Sequence, residues 1–289
     1  MSDTATELSV VIASKNEARR FGVMLDSLAR QSWNGNWEVI VADNGSTDST
    51  LSVIESYSNR LPRLTVVDAS AEPGCGPARN RGVERSIGSK ILFVDADDEI
   101  SDGYVAAMAV ALDTAELVCA RIGFDRLNSS WAQSVWEQRW QQDRPLSNFG
   151  FLPYAGSGTL GIRRSLFELI GGFRHYQRPS QFEEADLCWR IQLADHPAPV
   201  VVPGAVLHYR LPSTLRAWYR RGRNYAGGQL LLYELYRDRG MRQIRQISIR
   251  DVAGSVRRIR NRRDLARTAH LLGRLVGQRS HAALADATL

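Results

Sequence analysis

The chain has 289 residues, 44% hydrophobic and 24% charged, which suits one large folded domain or a domain with an appendage and excludes a disordered chain. No apolar run reaches the roughly 18 residues of a membrane span. The N-terminus lacks the basic stretch of a secretory signal, and three cysteines (Cys75, Cys119, Cys188) without C-x-x-C spacing argue against a disulfide framework or zinc site and fit a reducing cytosol.

Charge is uneven along the chain. Residues 1–209 carry −7, whereas Arg210 to the C-terminus carries +13, 18 arginines against 5 acids. Such a basic region seeks phosphate on nucleotide, nucleic acid or anionic lipid.

Apolar, β-branched runs occur at LSVVIA (8–13), WEVIVA (37–42), LTVVDA (64–69), KILFVD (90–95) and ELVCARIGF (116–124). Between them lie stretches of helical period. Ala18, Phe21, Leu25 and Leu28 share one helix face in 16–32. A second helix is expected from Ser46 or Thr47, and Ser101 is a candidate N-cap for another. This alternation predicts an α/β fold with a mostly parallel sheet covered on both faces. Residues 126–155 read as a loop or insertion, 156–195 return to regular structure, and PVVVPGAVLHYR (199–210) supplies a further strand. From Ser213 the chain reads as helix, with Leu215, Trp218, Tyr219, Gly222, Tyr225 and Ala226 along one face and arginines on the other.

Ligands of such sheets bind beyond the carboxyl ends of the strands, so the residues after each run are the ones to read. After the second strand, Asp43 either accepts from a base or ribose or caps the helix that follows. In CGPARNRG (75–82), Arg79 and Arg81 either grip a diphosphate or lie in solvent. In FVDADDE, Asp95 and Asp97 share a face if the segment is extended, with Asp98 pointing away. Two clustered carboxylates are costly unless a cation lies between them, and their hard oxygens suit Mg²⁺ or Mn²⁺.

Together VVIASKNE, VADNGSTDST, ARNRG and FVDADDE, in this order and spacing, resemble the family 2 glycosyltransferases of GT-A fold, over Leu8 to about Arg210. The family pattern is close to V-V-I-P-T-Y-N-E, V-D-D-G-S-T-D, A-R-N-x-G and D-x-D; here Ala13-Ser14-Lys15 replaces Pro-Thr-Tyr, and Ala42 replaces an acid. The resemblance implies a catalytic domain over 1–210 and an Arg-rich helical region over 211–289. It implies an inverting transfer from a nucleoside-diphosphate sugar, most readily a UDP-sugar, to a glycan or lipid-linked acceptor. Ala13, Ser14, Glu17, Asp43, Arg79 and Asp95 would border the nucleotide, with Asp95 and Asp97 on the metal and His208 as a third ligand or a structural histidine. PSQFEEADLCWR (179–190) is similar to the family's E-D-x-D-L-x-x-R segment and sets Glu184 at the base position, with Glu183 and Asp186 as fallbacks. GSGTLG (156–161), though it formally fits G-x-G-x-x-G, follows no clean strand and reads as part of the acceptor side.

The basic C-terminal region has four readings. Arg210 and Arg221 hold the diphosphate; the helix lies on an anionic membrane; it binds nucleic acid, disfavoured by the acidic domain in front; or it packs an aromatic stripe on the core with its arginines in solvent. These expectations describe a cytoplasmic enzyme, peripheral on the inner face of the cell membrane. A degenerate member that binds nucleotide or membrane without turnover is the alternative. A sugar nucleotidyltransferase is a third class, for which ASKNEARR lacks the glycines.

Overall fold

The computed structural model describes residues 6–136, 143–176 and 181–286. The chain runs β1 (Leu8–Ser14), α1 (Phe21–Ala29), β2 (Trp37–Asp43), α2 (Thr50–Glu55), β3 (Thr65–Asp68), α3 (Cys75–Arg85), β4 (Lys90–Asp95), β5 (Glu99–Ile100) and α4 (Tyr104–Thr114). It continues through β6 (Leu117–Gly123), α5 (Ser130–Val135), β7 (Leu160–Arg163), α6 (Arg164–Ile170), α7 (Glu183–Leu193) and β8 (Val200–His208) to α8 (Leu215–Tyr236), α9 (Ile249–Val256) and α10 (Arg262–Asp286).

Eight strands form one sheet in the order β3-β2-β1-β4-β7-β6-β8-β5. The first four are mutually parallel, β7 is antiparallel to both its neighbours, β8 pairs parallel with β6, and β5 closes the edge antiparallel to β8. Strand alternation divides the core into two layers. Val10, Ile12, Leu92 and Val94 face α1 and α4 on one side; Val11, Ile91 and Phe93 face α3, α6 and α7 on the other. The central strands are buried on both faces, which is why they read as unbroken apolar runs.

The five long runs and the 199–210 strand form where the pattern places them. Three helix starts move, each for a local reason. The α1 helix begins at Phe21, not at 16, because Asn16 adopts a left-handed conformation (φ 57°) and its side chain accepts from the Thr47 backbone N–H at 2.8 Å. The same bond keeps 46–49 in a turn, so α2 starts at Thr50. Ser101 does not cap α4; its hydroxyl accepts from the Val206 N–H at 3.1 Å and Gly103 (φ 73°) precedes the helix. The expected loop at 126–155 contains the short helix α5, and β5 and β7 are strands the pattern did not announce.

The C-terminal helices pack in backbone contact. A Cβ at Gly222 of α8 would lie 2.1 Å from the His270 carbonyl oxygen, and one at Gly273 of α10 would lie 2.0 Å from that of Tyr219. Only glycine permits so close an approach. Trp218, fully buried, packs tilted against Trp136 and edge-on to His270 in this interface. Among the described residues no helix is long and apolar enough to cross a membrane.

Candidate active site

A cavity of about 490 Å³ opens where β1 and β4 end. Its front wall comes from the sheet edge and α3, its rear wall from α7, α8 and the 3₁₀ turn before β7.

At the front, Ala13 and Ser14 close β1, and parallel register sets Ala13 beside Asp95. Arg79 of α3, 4% exposed, reaches Asp95 at 2.8 Å, so the ARNRG arginine is buried in the site while Arg81 points to solvent and pairs with Glu84. Asp97 lies in the turn between β4 and β5 rather than on the strand, yet it lines the cavity with Asp95. Its carboxylate is 3.7 Å from Arg20, and its carbonyl accepts from the Arg210 Nε at 2.7 Å. Asp98 points away from the cavity into the protein: it is fully buried and accepts from the Arg210 backbone N–H at 2.7 Å, with Oδ2 unpartnered among the described residues. Burial, then the neighbouring carboxylates, pushes Asp97 and Asp98 upward, Asp98 strongly. Glu17 rises to about 7 from burial and the Asp97 charge. Asp43 is taken up by the Ser46 N–H (3.0 Å) and hydroxyl (2.5 Å), beside Ser14 but outside the cavity lining.

Crowded, cavity-facing carboxyl oxygens fit a hard divalent cation, and Asp95 and Asp97 are the donors that face the space. Among the described residues no third His, Cys, Asp or Glu joins them as a metal-ligating group. His208 is the correction here. Its strand pairs with β5 and β6, and its Nδ1 lies 3.9 Å from Asp125, outside the cavity lining. A cation held by Asp95 and Asp97 would take its remaining ligands from substrate and water.

At the rear, Glu183 and Glu184 open α7, 8% and 9% exposed, and both line the cavity. Burial, then Glu183, raises Glu184 to about 8; burial also raises Glu183. Phe182 precedes them at φ 86°, a strained conformation for a side-chain-bearing residue. Its ring packs between Phe149 and Tyr225, and a Cβ at Gly228 of α8 would meet the Gln181 carbonyl oxygen at 2.3 Å. The turn that aims Glu184 is thus clamped by α8. Asp186 is no catalytic fallback: fully buried, it bonds Arg190 at 2.8 Å, Arg174 at 3.1 Å and the Tyr236 hydroxyl at 2.5 Å. Arg190 in turn donates to the carbonyls of Ile170 and Gly172, so the pair anchors α7 to the end of α6.

Arg221, expected on the outer face of its helix, points into the cavity. It donates to the hydroxyls of Tyr209 (3.0 Å) and Tyr225 (2.5 Å) and lies 4.4 Å from the Trp136 ring centre. No carboxylate among the described residues pairs with it. Among the described residues its partners are phenols and an indole, which leave the guanidinium charge available to an anion. Pattern reasoning missed this aromatic box because its members lie far apart in sequence; only Trp and Tyr enrichment hinted at it. Gly156, Gly158 and Thr159 of GSGTLG line the same space, and a Cβ at Gly158 would meet Asp95 Oδ2 at 3.1 Å.

The glycosyl transferase family 2 model matches residues 9–171. The uncharacterized glycosyltransferase YibD of Escherichia coli (strain K12) is 30% identical over 142 residues, 49% of this chain and 39% of that protein; the chain thus matches about two fifths of that relative's length. The S. aureus TarS 1–349 structure in complex with UDP-GlcNAc superposes with a TM-score of 0.55 at 18% identity, covering 96% of this chain and 92% of the other. The mannosyltransferase PcManGT from Pyrobaculum calidifontis, in complex with GDP-Man and Mn²⁺, gives 0.57 at 17% identity, covering 99% and 77%. The α/β sheet and its added helical region are therefore those of the GT-A glycosyltransferases.

Proposed function

Because the chain belongs to glycosyl transferase family 2, we propose that it moves a sugar from a nucleoside diphosphate to an acceptor hydroxyl with inversion. The observation that carries this reading is the pairing, across one cavity, of the acid edge Asp95/Asp97 with the buried carboxyl of Glu184.

Ala13, Ser14 and Glu17 border the nucleoside, with Asp43 behind them holding the turn that shapes the base site. Arg79 holds Asp95 in place, and Arg221, which no described carboxylate pairs, faces the diphosphate. Asp95 and Asp97 would hold Mg²⁺ or Mn²⁺, which when bound would supply Lewis-acid stabilisation of the departing diphosphate, typically several kcal/mol. Glu184 accepts the acceptor hydroxyl's proton while that oxygen bonds to the anomeric carbon; the bond to the diphosphate breaks on the opposite face. Raised to about 8, Glu184 is a stronger base than an exposed carboxylate once ionised, and its ionised fraction grows as pH approaches 8.

A UDP-sugar is the favoured donor, supported by the UDP-GlcNAc in the TarS structure, while GDP-Man in the archaeal structure keeps the guanosine donors in the test. The acceptor is a glycan or a lipid-linked sugar, reached at the anionic inner surface of the cell membrane, which the +13 charge beyond residue 209 supports.

Thermal shift with UDP, GDP, dTDP, CDP and ADP, each with Mn²⁺ or EDTA, is the test, run beside Asp97→Ala. A metal-dependent shift lost in the variant supports the donor site and names the base. No metal-dependent shift with any of them overturns it.

A further inference from the structure

The basic charge of the C-terminal region is concentrated around α9. Residues 242–263 hold eight arginines and one acid, Asp251. Asp251 closes the α9 capping box with Ser248 and pairs with Arg245 at 2.6 Å. Arg242, Arg250, Arg257, Arg258 and Arg260 are exposed.

The orientation of α9 is set by its hydrogen bonds to α10. The buried Ser255 hydroxyl meets that of Thr268 at 2.6 Å, and the Ile247 N–H donates to the Gln278 side chain at 3.0 Å. The helix therefore lies antiparallel along α10 with Ser255 facing inward. Ile249, Ala253 and Val256 follow at i, i+4 and i+7, a stripe on a different side of the helix. That stripe is open: Ile249 is 60% exposed and Val256 51%. Arg250 and Arg257, one residue after each end of the stripe, border it.

We propose that this α9 face docks on an anionic lipid bilayer, with Ile249 and Val256 entering the headgroup boundary and the flanking arginines meeting lipid phosphates. The combination of an apolar stripe and an arginine border is that of an interfacial helix. A single-stranded nucleic acid calls for aromatic stacking platforms, and this stripe has none. A second copy of the chain would bring the same positive face against itself. The inference deepens the reading of a membrane-surface acceptor; its readout does not depend on sugar transfer.

The test is co-sedimentation of the full chain with phosphatidylcholine vesicles, with and without phosphatidylglycerol. Binding is expected only to the anionic vesicles, weakened by high salt. Ile249→Asp combined with Val256→Asp is expected to lower it by about ten-fold or more at unchanged melting temperature. Arg250→Glu with Arg257→Glu is expected to do the same by charge. Both double variants should keep the metal-dependent nucleotide shift, which separates failure here from failure of the donor site. Equal binding by wild type and the aspartate variant overturns the proposal, as does binding to RNA or self-association with no vesicle binding.

Discussion

The two walls of the cavity are built by opposite strategies. The front wall is local: Ala13, Ser14, Asp95 and Asp97 end adjacent parallel strands, and their placement follows from strand register. The rear wall is assembled at long range: α7 delivers Glu184, α8 delivers Arg221, and α10 holds α8 by backbone contact. The difference teaches that one site can be robust on one side and fragile on the other. Substitutions at the front should change chemistry without changing the fold, whereas several at the rear should change both.

The sharpest division is expected from Asp97→Ala and Glu184→Gln. Asp97→Ala should abolish metal-dependent nucleotide binding and lower turnover by at least about 10³-fold. Glu184→Gln should keep the nucleotide shift and lower kcat by about 10²–10⁴-fold, as loss of a general base does. If Glu184→Gln instead removes nucleotide binding, the division of labour between the walls is wrong.

Next is Gly273→Val, far from the chemistry. With the Tyr219 carbonyl oxygen 2.0 Å from its Cβ position, overpacking should cost about 1–3 kcal/mol or more, read as a fall in melting temperature. Turnover should fall in the surviving folded fraction as α8 shifts Arg221. Unchanged stability would mean that α10 is not the support of the rear wall.

A smaller effect distinguishes backbone from side chain at Phe182. Glycine ordinarily destabilises relative to alanine, but at φ 86° the order should invert, with Phe182→Gly more stable than Phe182→Ala by about 1 kcal/mol. Denaturant melts of the two variants would check the sign.

The remaining effects concern pH, and both arise at the rear. Glu184 is raised from 4.5 to about 8, so its contribution to stability is full below 4.5 and is lost as pH rises toward 8. His270 is lowered from 6.5 to about 4 by burial and Arg221, so its contribution is full above 6.5 and is lost as pH falls toward 4. Melting temperature against pH should lose the decline between about 4.5 and about 8 in Glu184→Gln and part of the acid decline in His270→Gln. Turnover should rise with pH up to about 8 as Glu184 ionises.

What was legible in the sequence follows the same division. The strands were visible because two-sided burial leaves unbroken β-branched runs, and Asp95 and Asp97 because acids abutting such a run are conspicuous. Glu184 was reachable only through family resemblance, since acids opening a helix are common. Asp186 was misjudged because nothing local announces that Arg174, Arg190 and Tyr236 converge on it. Arg221 was named with Arg210 for the diphosphate, but its aromatic surroundings were not legible, for they come from residues 136, 209 and 225. His208 suited a metal by position in the chain, but strand pairing carries it toward Asp125.

The glycine contacts between α8 and α10 bear on how the molecule ages and is cut. The chain between these helices, from Gly240 to the start of α9, is a natural place for a protease to enter. A nick there need not release activity at once, because two backbones touching through Gly222 and Gly273 can stay associated without the covalent link. Losing the released piece would be another matter. It would strip the cover from Trp218 and admit water behind Arg221, whose proposed grip on the diphosphate depends on a dry surrounding. The basic end of the chain, an appendage by composition, is by construction part of the insulation of the site.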